Sequence, residues 1–222
     1  MLKKIFLKNP FSIWLVKKLT RPDLKRLFEE NKSNKKTLIM HCGDAPFQEV
    51  FPNRIKVADN NNEGADLVVD YYNLPFKDEE FEIVVCTGLL EHVKEPYKLI
   101  QEMKRVLKTG GQLLISASFV FSIHGAPKDY FHFTPYGLKY LLRDWSKVEI
   151  KGSCNTMKTM AILFQRIGYQ SDMFLPIKIM LFLLVKLIPF FQIFIRQEYG
   201  DITKKTKIDS MLSSNIQVKA IK

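Results

Sequence analysis

The sequence predicts an α/β fold, with a mostly parallel sheet of seven strands and helices on both faces. Between Thr37 and Cys154, short apolar runs alternate with segments of helical spacing, as they do where helices connect parallel strands. Of the 222 residues, 46% are hydrophobic and 26% are charged, so the chain has enough apolar side chains for a core of ordinary size.

Apolar runs predict the first four strands, at residues 37–42, 54–59, 66–70 and 81–86. A helix is expected from Glu95 to Leu107, because its apolar residues recur at helical spacing. Gly110 and Gly111 end that helix and precede a fifth strand over residues 112–118.

One more helix and two more strands are predicted, and the whole chain divides into four segments. Thr134 as a cap and Pro135 at the first helical position predict a helix to Leu142. Two more strands follow, at residues 147–150 and 215–221. The predicted segments are a basic helical extension (1–36), the core (37–154), an apolar helical insertion (155–199) and a tail with the final strand (200–222).

The net charge of +11 is concentrated at the two ends of the chain. Residues 1–36 hold 11 basic and 3 acidic groups, whereas residues 37–154 hold 13 and 16. An acidic centre argues against a nucleic-acid partner, and basic ends favour an anionic membrane surface. Three cysteines exclude a disulfide scaffold and a paired-CxxC zinc site, so a reducing, cytoplasmic location is expected.

The N-terminal sequence does not predict a secretory signal, because Lys8 interrupts its apolar run and no small-residue cleavage site follows. Residues 11–19 predict a basic helix that either lies on an anionic bilayer or packs on the domain.

Residues 173–195 contain no acid and form a second apolar segment. Its longest unbroken run, 179–185, is shorter than the ~20 residues of a spanning helix. Lys178 and Lys186 can extend toward lipid headgroups, and Pro189 kinks or ends the helix. Three alternatives remain for this segment: attachment in the membrane plane, an oligomer or core interface, and a span.

The carboxyl ends of the strands are where such sheets bind ligands. Gly43 follows the first strand and permits close approach of a ligand to the backbone. Asp59 ends the second strand, where an acid can accept hydrogen bonds from both hydroxyls of a ribose.

Four segments carry a family resemblance: residues 73–76 (NLPF), 81–86 (FEIVVC), 90–93 (LEHV) and 105–111 (RVLKTGG). They resemble the class I S-adenosylmethionine-dependent methyltransferases, closest to the methyltransferase type 11 group, with Thr109 in place of the usual proline. Residues 124–135 are similar to a subset associated with surface-glycan and lipid-linked sugar pathways. The resemblance implies a Rossmann-like fold and S-adenosylmethionine as cofactor.

The resemblance also implies a set of cofactor residues. The segment around Gly43 would lie along the methionine part, and Asp59 would hold the ribose. Asp70 and Tyr71 would flank the adenine, and Cys86 and Thr87 would line the methyl-donor end.

The glycine-rich loop departs from the family pattern D-x-G-x-G-x-G. The corresponding residues are Ile39, His41, Gly43 and Ala45, so side chains replace an acid and two glycines. Added Cβ atoms at His41 and Ala45 reshape the cofactor pocket. Two interpretations stay open: a working enzyme with an altered cofactor site, and a fold that has lost catalysis.

Methyl transfer needs the acceptor oxygen, the methyl carbon and the sulfur held in line, with a base for the acceptor proton. The candidate bases are His124 and His132, in the loop after the fifth strand, with Asp129 and Tyr130 as orienting groups. A structural role for each histidine is the alternative.

His92 is interpreted as a helix-start structural residue first and a site residue second. No metal is expected, because only His41 and Cys42 lie close together in the sequence and neighbours in a strand point to opposite faces.

Three functions follow. The first is methylation of a hydroxyl on a glycan or lipid-linked intermediate by a cytoplasmic enzyme at the membrane surface. The second is a non-catalytic binding or scaffold protein with the same fold. The third is methylation of a small apolar acceptor such as a quinone precursor, with residues 173–195 as a lid.

Overall fold

The computed structural model of the chain describes residues 14–41, 47–59, 64–195 and 212–222. The chain divides into two compact units. The sheet unit consists of Leu24–Ser153 and Asn215–Lys222, and the helical unit consists of Met1–Asp23 and Cys154–Ser214.

The sheet unit contains one seven-stranded sheet in the order β3-β2-β1-β4-β5-β7-β6. Its strands are β1 (Thr37–His41), β2 (Arg54–Ala58), β3 (Leu67–Val68), β4 (Phe81–Thr87), β5 (Leu107–Ser118), β6 (Lys147–Gly152) and β7 (Asn215–Ile221). Neighbouring strands pair in parallel from β3 to β5, and β7 runs antiparallel to both β5 and β6. The predicted seven-stranded, mostly parallel sheet is confirmed.

Two strands differ from the predicted lengths by three or more residues. β3 has only two residues, both exposed, where the sequence predicts residues 66–70. It lies at the edge of the sheet, where it pairs on one side only. β5 starts at Leu107, directly after the preceding helix and five residues before the predicted strand. The positive φ of Gly110, 74°, lies within this early part of β5.

Helices cover both faces of the sheet, as predicted. The helix α1 (Arg21–Glu29) contributes Phe28 to the apolar cluster that contains Ile39 of β1. The helix α2 (Pro96–Val106) packs in the cluster that contains Met40, the next residue of β1. Successive strand residues point to opposite faces, so the two clusters lie on opposite sides of the sheet.

The helices α2 and α3 (Pro135–Leu141) start where the sequence predicts, but α2 ends at Val106, and the glycines expected to end it, Gly110 and Gly111, lie within β5. In α2 the buried residues are Leu99, Ile100, Met103 and Val106, which are among those that predicted the helix. In α3 the Thr134 side chain accepts a hydrogen bond from the Gly137 N–H at 3.0 Å. This contact is the N-cap that the Thr-Pro pair predicts.

The helical unit contains α4 (Thr156–Gln170), α5 (Leu175–Leu187) and a 3₁₀ helix over Ile188–Phe194. The buried side chains Phe182 and Val185 of α5, with Ile188, follow helical spacing. Val185 and Ile188 pack with Ala161 of α4. The apolar helical insertion before the last strand is thus confirmed.

The helical segment Leu175–Phe194 is continuous over 20 residues. By length and composition alone it can cross a bilayer, which is more than the short unbroken run in the sequence suggests, although core helices of soluble proteins satisfy the same criterion. The α-helix ends at Leu187, two residues before Pro189, and continues as 3₁₀ turns. Of the predicted helix at 11–19, residues 11–13 lie outside the described part of the chain.

Candidate functional site

The candidate site lies at the carboxyl edge of the sheet. His41 at the end of β1 is in register with Thr87 at the end of β4, which in turn is in register with Ser116 of β5. Asp59 directly follows β2 at the same edge. The loop over residues 119–134, here called the histidine loop, leaves β5 at this edge and returns to α3.

The sequence-predicted residue His41 belongs to the interior of the sheet unit. Its side chain is buried, and its carbonyl oxygen accepts a hydrogen bond from the Tyr71 hydroxyl at 3.0 Å. Tyr71 is itself part of the main apolar cluster. Gly43 and Ala45 lie outside the described residues.

Cys86 and Thr87 end β4 as buried side chains. Burial raises the pKa of the Cys86 thiol, so the sulfur stays protonated. These residues can shape a pocket wall, but a buried neutral thiol is a poor nucleophile.

Asp59 and Asp70 are both exposed residues at this edge. Asp70 accepts a hydrogen bond from the Tyr72 N–H at 2.9 Å through one oxygen. Asp59 Oδ2 lies 3.4 Å from Nζ of Lys128, a residue of the histidine loop that is 69 positions away in the sequence. The fold therefore brings the predicted ribose acid to the loop with the candidate bases.

Asp129 is the centre of the histidine loop. Its Oδ2 accepts a hydrogen bond from the His124 N–H at 2.8 Å and lies 3.4 Å from Nδ1 of the same residue. Its Oδ1 lies 3.4 Å from Nε2 of His132. Burial acts to raise the pKa of Asp129, but the hydrogen bond and the two imidazoles outweigh it and the pKa is lowered.

His124 is packed among aromatic rings. Its ring meets those of His92 and Phe121 edge to face, at centroid distances of 4.8 Å and 5.1 Å. Burial lowers the pKa of His124, against the opposing effects of Asp129 and Glu91. The imidazole is therefore neutral at neutral pH.

Sequence reasoning missed Glu91 as a site residue. Its side chain is 1% exposed, accepts a hydrogen bond from the Ser118 hydroxyl at 2.8 Å and lies 4.0 Å from Nε2 of His124. Its backbone carbonyl accepts from the N–H groups of Tyr130 and Phe131. Its place just beyond a buried strand, beside His92, was the available signal.

The structure also gathers histidines that are distant in sequence. His92 Nδ1 lies 2.7 Å from the carbonyl oxygen of Lys128, which fixes its ring against the histidine loop. Two overlapping triads have potential ligand atoms within 4.8 Å of one another: Glu91, His92 and His124, and His124, Asp129 and His132. Along the chain, by contrast, only His41 and Cys42 lie close together among the histidines and cysteines.

Arg105 explains two of the motifs that carry the resemblance. Its guanidinium donates to the carbonyl oxygens of Leu74 and Phe76, to Asp78 and twice to Glu102. Residues 73–76 are thereby fixed to α2, next to Asp70 and Tyr71. The motifs at residues 73–76 and 105–111 therefore hold neighbouring backbone in place, and they contribute no candidate catalytic group.

Residues 48–115 match the family model described as a methyltransferase domain. Among curated relatives, an uncharacterized protein of Methanocaldococcus jannaschii is 51% identical over 43 residues, 19% of this chain and 21% of that protein. The ubiquinone biosynthesis O-methyltransferase of Pseudomonas syringae is 28% identical over 131 residues, 50% of this chain and 54% of that enzyme. The chain thus spans at most about half the length of these relatives.

A solved structure shares the fold over nearly the whole chain. It is a methyltransferase from Thermotoga maritima, with a TM-score of 0.58 at 13% identity over 95% of this chain and 92% of that one. At this identity the likeness concerns the fold.

Proposed function

We propose that this chain, which carries a methyltransferase domain of the class I S-adenosylmethionine-dependent kind, methylates a hydroxyl of a glycan or lipid-linked intermediate at a membrane surface. The observation that carries the proposal is the 3.4 Å contact between Lys128 of the histidine loop and Asp59. This contact places Asp59, the candidate ribose-binding acid, beside the histidine loop, which carries the candidate bases.

The described residues fit the cofactor. Asp59 follows β2 with its carboxylate 39% exposed, and an acid at this place accepts hydrogen bonds from ribose hydroxyls. Asp70 keeps an exposed carboxylate at the same edge, suited to an amino group of an adenine. When bound, S-adenosylmethionine supplies a methyl carbon on a sulfonium, whose C–S bond breaks as the acceptor oxygen attacks.

His132, whose tautomer is set by Asp129, accepts the proton that the acceptor hydroxyl loses. Because Oδ1 of Asp129 lies 3.4 Å from Nε2 of His132, the carboxylate favours the tautomer with its proton on Nε2. Nδ1 then keeps a lone pair, which can take the proton of the acceptor hydroxyl as its oxygen bonds to carbon. The exposed ring of Tyr130, two residues away, is suited to contact the acceptor.

The helical unit supports attachment to an anionic membrane. Its residues, 1–23 and 154–214, hold 14 basic and 5 acidic groups, a net +9 of the chain's +11. The segment Leu175–Phe194 exposes large apolar side chains, among them Phe190 (73%) and Ile193 (82%). An apolar helix face combined with positive charge is the composition that binds anionic lipid in the membrane plane.

Calorimetry tests cofactor binding. The intact protein is expected to bind S-adenosylmethionine and S-adenosylhomocysteine, and Asp59→Ala to lose both without a change in circular dichroism. Glu149→Ala, which removes an exposed acid of β6, is the control and keeps the affinity. Undiminished affinity in Asp59→Ala removes Asp59 from the site. Absence of binding by the intact protein favours the scaffold hypothesis.

Vesicle flotation tests the membrane. The chain is expected to float with phosphatidylcholine vesicles that contain phosphatidylglycerol, and to stay below with phosphatidylcholine alone. The variant Met180→Ser/Phe190→Ser/Ile193→Ser is expected to lose flotation, whereas Tyr140→Ser, an exposed ring of the sheet unit, is not. Equal flotation of all three proteins contradicts the proposal.

A second acceptor class is favoured by one comparison. The match to an enzyme of ubiquinone biosynthesis supports a small apolar acceptor such as a quinone precursor. Transfer of labelled methyl groups to membrane glycolipid extracts, compared with transfer to soluble phenolic quinone precursors, distinguishes the two acceptors.

A further inference from the structure

We infer that Glu91, His92 and His124 bind a divalent first-row transition-metal ion of the zinc type. Each of these residues offers one ligand atom, and the three atoms lie within 4.8 Å of one another. Two imidazoles and a carboxylate are a ligand set that such ions prefer. The site departs from the metal-free site that the sequence predicts.

The protonation of His92 favours metal binding. Its Nδ1 lies 2.7 Å from the Lys128 carbonyl oxygen. A carbonyl oxygen only accepts, so Nδ1 carries the proton and Nε2 keeps the lone pair. Metal-binding histidines typically hold their second nitrogen in this way, by donation to a carbonyl or carboxylate.

His124 is held by the same kind of contact. Its Nδ1 lies 3.2 Å from the Ser122 carbonyl oxygen and 3.4 Å from Oδ2 of Asp129. Both partners accept from Nδ1–H, so the lone pair is on Nε2. Nε2 is the atom that lies 4.0 Å from the Glu91 carboxylate. Asp129 therefore orients His124 and is not itself a ligand.

Glu91 supplies the negative charge. Its Oε1 accepts from the Ser118 hydroxyl, and its Oε2, buried as well, has no hydrogen-bond partner among the described residues. A buried carboxylate oxygen without a partner costs free energy, and a neighbouring imidazole lone pair adds repulsion. The oxygen that lies 4.0 Å from Nε2 of His124 is Oε1, so a cation bound there neutralises the Glu91 carboxylate and takes up the imidazole lone pair.

The distances require only small side-chain movements. Zinc–nitrogen and zinc–oxygen bonds are about 2.0–2.2 Å, so two ligand atoms at the tetrahedral angle on one ion are separated by about 3.4 Å. The present separations of 4.0 Å and up to 4.8 Å therefore require each pair of ligand atoms to approach by roughly 0.5–1.5 Å, a movement within the range of side-chain rotation. Three protein ligands leave a coordination position open.

The open position gives the metal a role that rests on the proposed function. A hydroxyl oxygen bound there loses its proton more readily, because the ion stabilises the oxyanion. The proton then passes to His132 as the oxygen attacks the methyl carbon. Binding of the ion itself does not depend on this role.

The second triad is a weaker alternative. The nitrogen of His124 that lies 3.4 Å from Asp129 is Nδ1, which also faces the Ser122 carbonyl oxygen and therefore carries a proton. The two triads are distinguishable by substitution, because Glu91 would be a ligand only in the first triad and His132 only in the second.

The test is metal binding by the intact, untagged chain. After dialysis against Zn²⁺ and removal of free ion, elemental analysis is expected to give one zinc per chain. Co²⁺ is expected to give the visible absorption of a low-coordinate nitrogen and oxygen site, and excess Mg²⁺, which prefers oxygen ligands, is expected not to displace it. No retained zinc and no cobalt spectrum in the wild-type chain overturns the inference.

Variants locate the ion. Glu91→Gln and His124→Ala are expected to weaken Zn²⁺ binding at least tenfold, while His132→Ala binds as the wild type does. Retention by His124→Ala, or loss in His132→Ala with retention in Glu91→Gln, contradicts the site. Because the wild-type measurement needs no variant, misfolding of a variant leaves the inference testable. Calorimetry with S-adenosylmethionine separately reports failure of the proposed function.

Discussion

Arg105 fixes the position of residues 74–78, the segment that follows Asp70 and Tyr71 in the chain. It makes five hydrogen bonds to residues 74–78 and Glu102 and is only about one-third exposed. Hydrogen bonds to charged groups contribute about 1.5–3 kcal/mol, so Arg105→Ala is expected to lower the free energy of unfolding by about 2 kcal/mol. Arg105→Lys should retain only part of this stabilisation, because an ammonium group cannot reproduce the planar set of donors. Urea denaturation measures both.

The control is Lys94→Ala, an exposed lysine for which a change of under about 0.5 kcal/mol is expected. An equally small change in Arg105→Ala would show that the guanidinium contacts do not stabilise the fold.

The ion pair between Arg105 and Glu102 makes the free energy of unfolding depend on pH. The hydrogen bond from Arg105 lowers the pKa of Glu102 in the folded chain. The pair therefore stabilises the fold above the ordinary carboxyl pKa of about 4.3, and this stabilisation is lost as the pH falls through the lowered folded value. The difference in unfolding free energy between wild type and Glu102→Gln is expected to shrink below about pH 4. A difference that is constant with pH contradicts this origin.

At the scale of elements, a glycine of the histidine loop, Gly125, allows this loop to lie close to the 3₁₀ turn Leu90–His92. Gly125 has φ +66°, and a Cβ there would lie 3.0 Å from Cε1 of His92. Gly125→Ala therefore adds strain of about 1–2 kcal/mol and displaces the His92 ring. We expect zinc affinity, measured by competition with a chelating dye, to fall roughly tenfold.

Gly110→Ala is the matched control for that substitution. Gly110 has φ +74°, and a Cβ added there would meet nothing within 4 Å, so the same backbone strain arises far from the histidines. Loss of stability without loss of zinc affinity is expected. Equal zinc affinities in the two variants would remove His92 from the proposed metal site.

Local patterns predicted the elements well because periodicity and caps are properties of neighbouring residues. The spacing of Leu99, Ile100, Met103 and Val106 gave α2, and Thr134 gave the start of α3. The convergence of Glu91 and His92 with His124 depends on the pairing of β4 with β5, which no local pattern contains.

At the scale of the whole molecule, the charge of the helical unit and its apolar helix make the proposed membrane contact measurable through tryptophan. The chain has two tryptophans. Trp14 is half exposed and lies under Nζ of Lys186, a residue of α5, at 5.1 Å from the ring centre, whereas Trp145 is buried in the sheet unit. Fluorescence of a Trp145→Phe variant therefore reports on the surroundings of α5.

Attachment in the membrane plane predicts a blue shift of Trp14 emission when phosphatidylglycerol vesicles are added. Because part of the attraction is electrostatic, the shift is expected to decrease as salt shortens the Debye length from about 10 Å at 0.1 M to about 3 Å at 1 M. A spanning helix would keep its shift at high salt, since its insertion depends on apolar burial. Trp14→Phe, in which only buried Trp145 emits, is expected to show no shift. A salt-independent shift therefore contradicts in-plane attachment and favours a span, and no shift at all in Trp145→Phe contradicts lipid contact near Trp14.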